Sequence, residues 1–265
     1  MLPAPSLLRP LPGLVLASAL LGCAGAALAD TASMIEVGAL HHNVSAGYGD
    51  WDHKFVRANV RSAPGSLWNG ELVHARRFGD SGTLAVLGHT RDFGQLWYGS
   101  ASIASSSGGF FFPSLRLDLT AHRRWGVQHK LVTTAGLTMF NAKDGHRDRS
   151  VLLGAAYYFD LPLVLEGGVR FNRSNPGAVT SRANYLAATY GRDKERIISL
   201  QHGFGREAYQ LIGPDALLVG LDSKVDTLTW REWLRARQGF QLRAERYSTP
   251  FYHRQGIEFA LFQEF

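Results

Sequence analysis

Histidines next to acidic or aromatic side chains are the residues of this chain whose types could do chemistry. His146 lies between Asp144 and Asp148, and His253 follows Tyr252. A hydrolase needs a serine with a histidine base, or an Asp/His pair, held in one geometry. Neither group has the spacing of a catalytic motif, and with 10 histidines in the chain such neighbours arise by chance. We interpret both histidines as solvated loop residues and expect no catalytic residue and no enzymatic activity.

Three further patterns resemble parts of ion or phosphate sites, but each lacks ligands that such a site needs. His41-His42 has no partner at a metal-ligand spacing. Asp144 and Asp148 lack the run of oxygen ligands that calcium requires. Gly203-Phe204-Gly205 is not followed by the lysine and helix of a phosphate loop. The sequence therefore predicts no metal site and no cofactor.

The elements that carry these residues have the pattern of membrane strands. From about residue 35 the chain is a succession of segments of roughly ten residues that alternate apolar and polar side chains, which is enough to cross the hydrophobic band of an outer-membrane barrel. Gly, Asp, Asn, Pro and Ser separate the segments. The clearest segment alternates two sets: Leu115, Leu117, Leu119 and Ala121 against Arg116, Asp118, Thr120, His122 and Arg124.

The C-terminal segment is the most apolar of these strands. Its alternate residues are Ile257, Phe259, Leu261 and Phe265, with Gln263 as the polar exception. Chain ends of soluble proteins usually fray into water, so a hydrophobic last strand is unusual there. A barrel in lipid needs such a strand, because its outward side chains face lipid and its backbone pairs with the first strand.

The segments predict an all-β, transmembrane antiparallel β-barrel with about 14 strands, with 12 as the alternative. Long outer connections are expected at 105–112, 143–149, 174–180 and 207–223. Short inner connections are expected at 63–66, 93–95, 160–162 and 191–194. The apolar centre of 207–223 is expected to fold against the barrel mouth or into the lumen. A soluble sandwich or barrel would also alternate, but it does not account for arginines opposite the apolar face together with an aromatic C-terminus.

The first 29 residues have the layout of a secretory signal peptide. Arg9 precedes an uncharged run that ends in Ala27-Leu28-Ala29. A membrane-anchoring helix is the first alternative. A lipoprotein box at Leu20-Leu21-Gly22-Cys23 is the second, and it leaves open whether Cys23 is lipidated or removed. We expect residues 30–265 to form one barrel domain that is exported through the inner membrane.

The formal charge of +6 comes largely from arginines spread along the strands, which argues against nucleic-acid binding. Rings of basic side chains in a lumen favour anions. Pairing of the same residues with acids would instead give a salt-bridged plug, and the sequence leaves both readings open. The arginines expected to face the lumen are Arg57, Arg116, Arg124, Arg170, Arg182, Arg231, Arg235 and Arg243.

Several short signatures of aromatic residues and arginine carry a family resemblance. They are Gly49-Asp50-Trp51, Arg76-Arg77-Phe78-Gly79-Asp80, Arg123-Arg124-Trp125, and the closing stretch from Phe251-Tyr252-His253-Arg254-Gln255-Gly256 to Phe265. With them the chain resembles the YaiO-type outer-membrane β-barrel family over nearly its whole mature length. The resemblance implies an outer-membrane location and a barrel architecture. It implies no reaction, and it gives a link to exopolysaccharide export.

The sequence leaves three functions open. The first is a channel or translocation component for anionic or saccharide solutes, the second an outer-membrane enzyme acting on lipid or lipopolysaccharide, and the third a plugged structural or receptor barrel. The expected partners are outer-membrane lipid and lipopolysaccharide, the barrel assembly machinery and polysaccharide export components.

Overall fold

Fourteen antiparallel strands close into a barrel in the computed structural model, which describes residues 33–213 and 216–265. Each strand pairs with its neighbours in sequence, and β14 pairs with β1. The predicted signal peptide and Cys23 lie outside the described residues. The strands are β1 Met34–Val44, β2 Trp51–Ala63, β3 Ser66–Arg77, β4 Asp80–Asp92, β5 Trp97–Gly108, β6 Leu115–Trp125, β7 Leu131–Asn141, β8 Arg147–Tyr158, β9 Leu163–Asn175, β10 Val179–Gly191, β11 Arg196–Gly213, β12 Ala216–Arg235, β13 Gln238–Ser248 and β14 His253–Glu264.

The seam between β1 and β14 leaves no free edge in the barrel. Val37 pairs with Leu261 and Ala39 with Phe259. Closure matters because lipid offers no hydrogen-bond partner to an unpaired backbone. The predicted apolar residues of β14, and Phe265 directly after it, point outward and are exposed, while the alternate residues of the strand are buried inside. The outward set is Ile257, Phe259, Leu261 and Phe265.

The two ends of the barrel differ. Because the strand number is even, Met34 and Glu264 lie together at one end, which we call the terminal end, and the opposite end is the distal end. The longest strands, β11 and β12 with 18 and 20 residues, extend as a hairpin at the distal end. Outer-membrane barrels carry their longer elements outside the cell. We therefore assign the distal end to the extracellular side.

Exposed aromatic side chains ring the outer surface near the terminal end. Such side chains place their amphipathic rings at the level of the lipid headgroups. Between this ring and the distal end the outward residues are mainly Leu, Val, Ile and Phe, as lipid contact requires. The ring comprises Trp68, Trp97, Trp125, Tyr157 and Tyr190.

The prediction that residues 207–223 form an irregular connection is wrong. Glu207 pairs with Leu221 and Tyr209 with Val219, so these residues extend β11 and β12. Gly213 and Gly220 do not interrupt the strands, since both lie within them. The expected position is correct, because Leu218 packs against a buried cluster at the distal mouth.

The expected contrast between long outer and short inner connections is also not found. Connections are short at both ends, as at 45–50 and 126–130, and the difference lies in strand length. Ser105 to Gly108 belong to β5 and pair with β4, since each strand in a barrel must satisfy its backbone on both sides. The β3–β4 turn is the pair Phe78-Gly79, whose φ angles of 52° and 78° give a tight hairpin.

A charge on the outer surface should destabilise the barrel according to its depth. Leu119 is 56% exposed at the middle of β6, whereas Val127 is 100% exposed in the connection 126–130. Leu119→Arg is expected to lower the free energy of unfolding by about 2–4 kcal/mol, because arginine at the bilayer midplane loses its hydration. Val127→Arg should leave it unchanged. Urea titration of both variants in phospholipid vesicles measures the difference, and equal effects would contradict lipid contact at Leu119.

Candidate functional site

The inner wall near the terminal end holds a group of interlocked ion pairs. The Arg57 Nη1 atom lies 2.9 Å from a carboxylate oxygen of Glu36 and 2.9 Å from one of Glu258. Its Nε atom donates to Glu71 at 2.7 Å. Arg231 donates to the second oxygen of Glu36 at 2.6 Å. These contacts join β1, β2, β3, β12 and β14, so they cross-link one sector of the wall from the inside.

A second buried group lies nearer the distal end and is centred on Glu245. Its two oxygens accept from Arg254 at 2.6 Å and from Arg243 at 2.9 Å. The Nε2 atom of His42 lies 3.2 Å away. All four side chains are at most 5% exposed. Buried charges are stable only when they are paired and hydrogen-bonded, so Glu245 holds this layer together.

Aromatic rings and a further arginine complete this layer. The Arg254 guanidinium lies 4.8 Å from the Trp51 ring centre, and Arg77 lies 4.9 Å from it. Tyr247 donates to Glu207 at 2.9 Å. Arg77 also donates to His53 at 2.8 Å. The rings stabilise the cations by cation–π contact where water is excluded.

On the opposite wall the arginines form ion pairs with single carboxylates and hydrogen bonds to hydroxyl groups. Arg116 pairs with Asp118 at 2.8 Å on the same strand. Thr138 donates to Asp118 at 2.7 Å, and Arg170 donates to Ser150 at 2.5 Å. Nearer the terminal end, Arg124 pairs with Asp92 at 2.5 Å. Arg116, Thr138, Arg170 and Arg124 therefore have partners within the barrel, whereas one carboxylate oxygen of Glu166 is buried without one.

Six of the eight arginines expected in the lumen point inward: Arg57, Arg116, Arg124, Arg170, Arg231 and Arg243. The expectation is wrong for the other two. Arg182 lies on the outer face of β10, because Tyr185 and Thr189 pack inward and fix the register. Arg235 is exposed at the end of β12, where a register shift follows Trp233.

The connection between β5 and β6 folds into the barrel. Phe112 is 1% exposed and packs in a cluster with Phe55, Val73 and Leu84 of the inner wall. Phe111 belongs to the same cluster. The run of three phenylalanines at 110–112 was visible in the sequence, but an apolar connection alone does not show which surface it covers.

A cavity of about 80 Å³ lies at the distal mouth between Phe111 and the opposite wall. One water molecule needs roughly 10–15 Å³ of cavity volume. The cavity therefore has room for several waters or for part of a ligand ring. Aromatic and apolar side chains form much of its lining, and polar side chains converge from β6, β8 and the connection 142–146. The lining includes Trp51, Phe78, Phe111, Tyr209, Leu217, Arg116, Asp144, His146 and Asp148.

His146 belongs to this cavity rather than to a solvated loop. Its Nδ1 atom lies 2.5 Å from Asp144, and its ring centre lies 4.5 Å from that of Tyr209. His253 lies elsewhere, on the outer face of β14, where its Nδ1 atom is 3.0 Å from the Ser248 hydroxyl. The sequence indicates this site only by placing His146 two residues after Asp144.

The terminal end carries a smaller polar group. Lys194 pairs with Glu264, which also accepts from the Trp233 indole at 3.0 Å. In the turn 192–195, burial raises the pKa of the Asp193 carboxyl, Lys194 opposes this and Glu264 adds to it. This group lies close to the Arg231 ion pair and covers that sector of the wall.

Two features are absent from the part of the chain that the structure describes. No helix in residues 33–213 and 216–265 is long and apolar enough to cross a membrane. Within the same ranges, no three His, Cys, Asp or Glu side chains are placed to hold a metal ion.

This chain forms a closed antiparallel barrel with an apolar outer band, a ring of exposed aromatic residues around its outer surface and a polar, ion-paired interior. These features define an outer-membrane β-barrel protein. The family described as the YaiO membrane beta barrel domain matches residues 32–210, and the chain belongs to this family. The matched range includes the signatures around Trp51, Arg77 and Arg124. The closing stretch from Phe251 lies beyond it. The comparison with curated protein sequences gives no match.

Solved structures with the same fold are outer-membrane proteins. An outer membrane channel from Pseudomonas putida F1 has a TM-score of 0.55 at 9% identity, covering 89% of this chain and 96% of that one. A bacterial polysaccharide outer membrane secretin has a TM-score of 0.52 at 10% identity, covering 88% and 98%. An anion-selective porin from Comamonas acidovorans has a TM-score of 0.51 at 9% identity, covering 88% and 98%. At these identities the likeness shows the fold alone.

Proposed function

We propose that the protein is a gated, non-enzymatic outer-membrane barrel that binds a saccharide at its distal mouth and serves in saccharide translocation. Export of an exopolysaccharide is the specific role that we propose. In this account the resting barrel is narrowed by the Phe110–Phe112 connection and by the buried ion pairs of its inner wall.

The distal cavity is the observation that carries this proposal. Sugar rings present an apolar C–H face and a rim of hydroxyls. Aromatic side chains such as Phe111 and Tyr209 suit the face, and charged side chains such as Asp144, Asp148 and Arg116 suit the hydroxyls. Pockets that combine an apolar lining with a few convergent polar groups are typical ligand sites.

The pairing of the lumen arginines favours a saccharide over a small free anion. Arg57 contacts three carboxylates, and Arg116, Arg231 and Arg243 each contact one. An anion entering the lumen would have to displace these bonds. A hydroxyl-rich chain can exchange hydrogen bonds with such pairs without breaking the charge balance. The fold that the chain shares with a polysaccharide secretin accords with this role.

Substitution of residues that line the distal cavity should weaken saccharide binding. His146→Gln combined with Tyr209→Leu removes the His146–Asp144 contact and one aromatic surface. We expect the affinity for an oligosaccharide to fall about tenfold, since an aromatic contact and a polar contact together contribute about 1.4 kcal/mol. Isothermal titration of the detergent-solubilised barrel with neutral and acidic oligosaccharides measures this affinity.

His253→Gln is the matched control, because His253 is also a histidine near the distal end but faces outward. It should bind as the unchanged protein does. If both changes weaken binding equally, or if no oligosaccharide binds the unchanged protein, the cavity is not a saccharide site.

One observation favours a second function, hydrolysis of a lipid. Ser248 and His253 form a serine–histidine contact on the outer face of the barrel, within reach of lipid in the distal leaflet. A hydrolase would use the serine as nucleophile and the histidine as base. Incubation of unchanged and Ser248→Ala protein with lipopolysaccharide separates the two functions. Deacylation that Ser248→Ala abolishes would support hydrolysis and contradict the transport proposal. Absence of deacylation by both proteins would rule out the hydrolase function.

A further inference from the structure

Arginine side chains cluster on the outer face of β8, β9 and β10 near the distal end. Arg147 and Arg149 lie on β8, Arg173 on β9 and Arg182 on β10, and all four are exposed. The residues that alternate with them, such as Asp148 and Ser174, point inward. The cluster therefore faces the membrane surface and not the lumen.

The strand register brings like charges directly together. Arg149 is the cross-strand partner of Arg173. Arg173 is paired with Thr180, so Arg182 lies diagonally across from it on β10. Directly opposed residues have Cβ atoms about 4.5–5.5 Å apart, and like charges at that distance repel. An arrangement of this kind is stable when an anion lies between the guanidinium groups.

No carboxylate of the described residues forms an ion pair with Arg149 or Arg173, whereas two outward arginines on other strands are neutralised. Arg76 pairs with Asp52 at 2.9 Å, and Arg196 pairs with Glu232 at 2.6 Å. Arg182 donates to the neutral amide of Asn184 at 3.1 Å and lies 5.9 Å from the Phe171 ring. The β8–β10 cluster thus retains unneutralised positive charge.

An exposed apolar surface continues from the cluster toward the middle of the membrane. Val151 on β8 is paired with Phe171 on β9, and Leu153 and Leu186 follow. These side chains are between 42% and 60% exposed. A ligand of this surface must therefore carry phosphate or carboxylate groups at the level of the arginines and hydrocarbon chains below them.

We propose that the β8–β10 arginine cluster is a binding site for the phosphate groups of an acylated, phosphorylated glycolipid of the outer leaflet, of the lipid A type. Arginine binds phosphate through two parallel hydrogen bonds. The neighbouring guanidinium groups of Arg149, Arg173 and Arg182 can together bind one or two phosphates. Val151, Phe171 and Leu186 contact the acyl chains. The site is separate from the distal cavity, so it stands whether or not the cavity binds saccharide.

Lipid binding by Arg149→Gln combined with Arg173→Gln tests the site. Native mass spectrometry of the full barrel in detergent measures binding of lipid A, of dephosphorylated lipid A and of inorganic phosphate. The control is Arg76→Gln combined with Arg91→Gln, which removes the same charge from outward positions elsewhere. Heat-modifiable gel mobility shows that each variant is folded.

We expect the first double variant to bind lipid A at least about tenfold more weakly, because two charge-assisted hydrogen-bonding groups are lost. The control should bind as the unchanged protein does, and dephosphorylated lipid A should bind weakly to all three. Equal losses in both double variants would reduce the effect to general charge. Equal binding of dephosphorylated lipid A, or competition by inorganic phosphate at the lipid concentration, would also overturn the glycolipid assignment.

Discussion

Glu245→Gln is expected to lower the free energy of unfolding by about 3–5 kcal/mol, the cost of removing one partner from a buried ionic group. The Glu245 carboxylate contacts Arg254, Arg243 and His42 at 2.6–3.2 Å. Glutamine has nearly the same shape but no charge, so Arg254 and Arg243, whose side chains are at most 5% exposed, lose the negative charge of Glu245. Urea-induced unfolding in phospholipid vesicles, followed by tryptophan fluorescence, measures the loss.

Glu232→Gln provides the comparison at the surface. Glu232 pairs with Arg196 at 2.6 Å, a distance as short as that in the buried group, but the Arg196 side chain is 57% exposed. Water replaces the lost partner there, so little change is expected. If Glu245→Gln unfolds at the same urea concentration as Glu232→Gln, the inner ion pairs do not hold the barrel together.

Phe111→Ala combined with Phe112→Ala should convert a closed or briefly opening barrel into one with long open periods in planar bilayers. Phe112 is packed on the inner wall, and Phe111 lines the distal cavity together with Arg116. Removing both rings widens the lumen at this level and releases Arg77, whose guanidinium lies 5.2 Å from the Phe111 ring. The open probability and the step conductance are the quantities to record.

Phe251→Ala is the matched control for this experiment. Phe251 also lies in a distal connection, 249–252, but it is 50% exposed and outside the buried cluster. Its removal should leave the current unchanged. An unchanged protein that already conducts steadily, at the level of the double variant, would show that the Phe110–Phe112 connection does not narrow the lumen.

Alternation in the sequence was sufficient to predict the barrel and the direction of many side chains. In β6 the outward residues Leu119 and Ala121 and the inward residues His122 and Arg124 lie as expected, because lipid outside and polar groups inside impose a period of two. Arg182 shows where this fails. Its strand has weak alternation of small residues, and the assumption that arginine faces inward selected the wrong face.

The interior contacts were beyond prediction from one sequence. Arg231 and Glu36 are 195 residues apart in the chain, and only the closure of β14 on β1 brings them to 2.6 Å. The choice between a basic ring and a salt-bridged interior depends on such pairs. Strands β11 and β12 illustrate a second limit: glycine marks turns on average, but pairing along both strands holds residues 207–213 and 216–221 in the sheet.

Flux of labelled oligosaccharides across proteoliposomes that contain the unchanged barrel tests saccharide translocation most directly. We predict entry of oligosaccharide above that of protein-free liposomes, and a reduction of this entry by His146→Gln with Tyr209→Leu but not by His253→Gln. Liposomes that hold heat-modifiable, folded barrel and admit no oligosaccharide faster than empty liposomes would contradict the account.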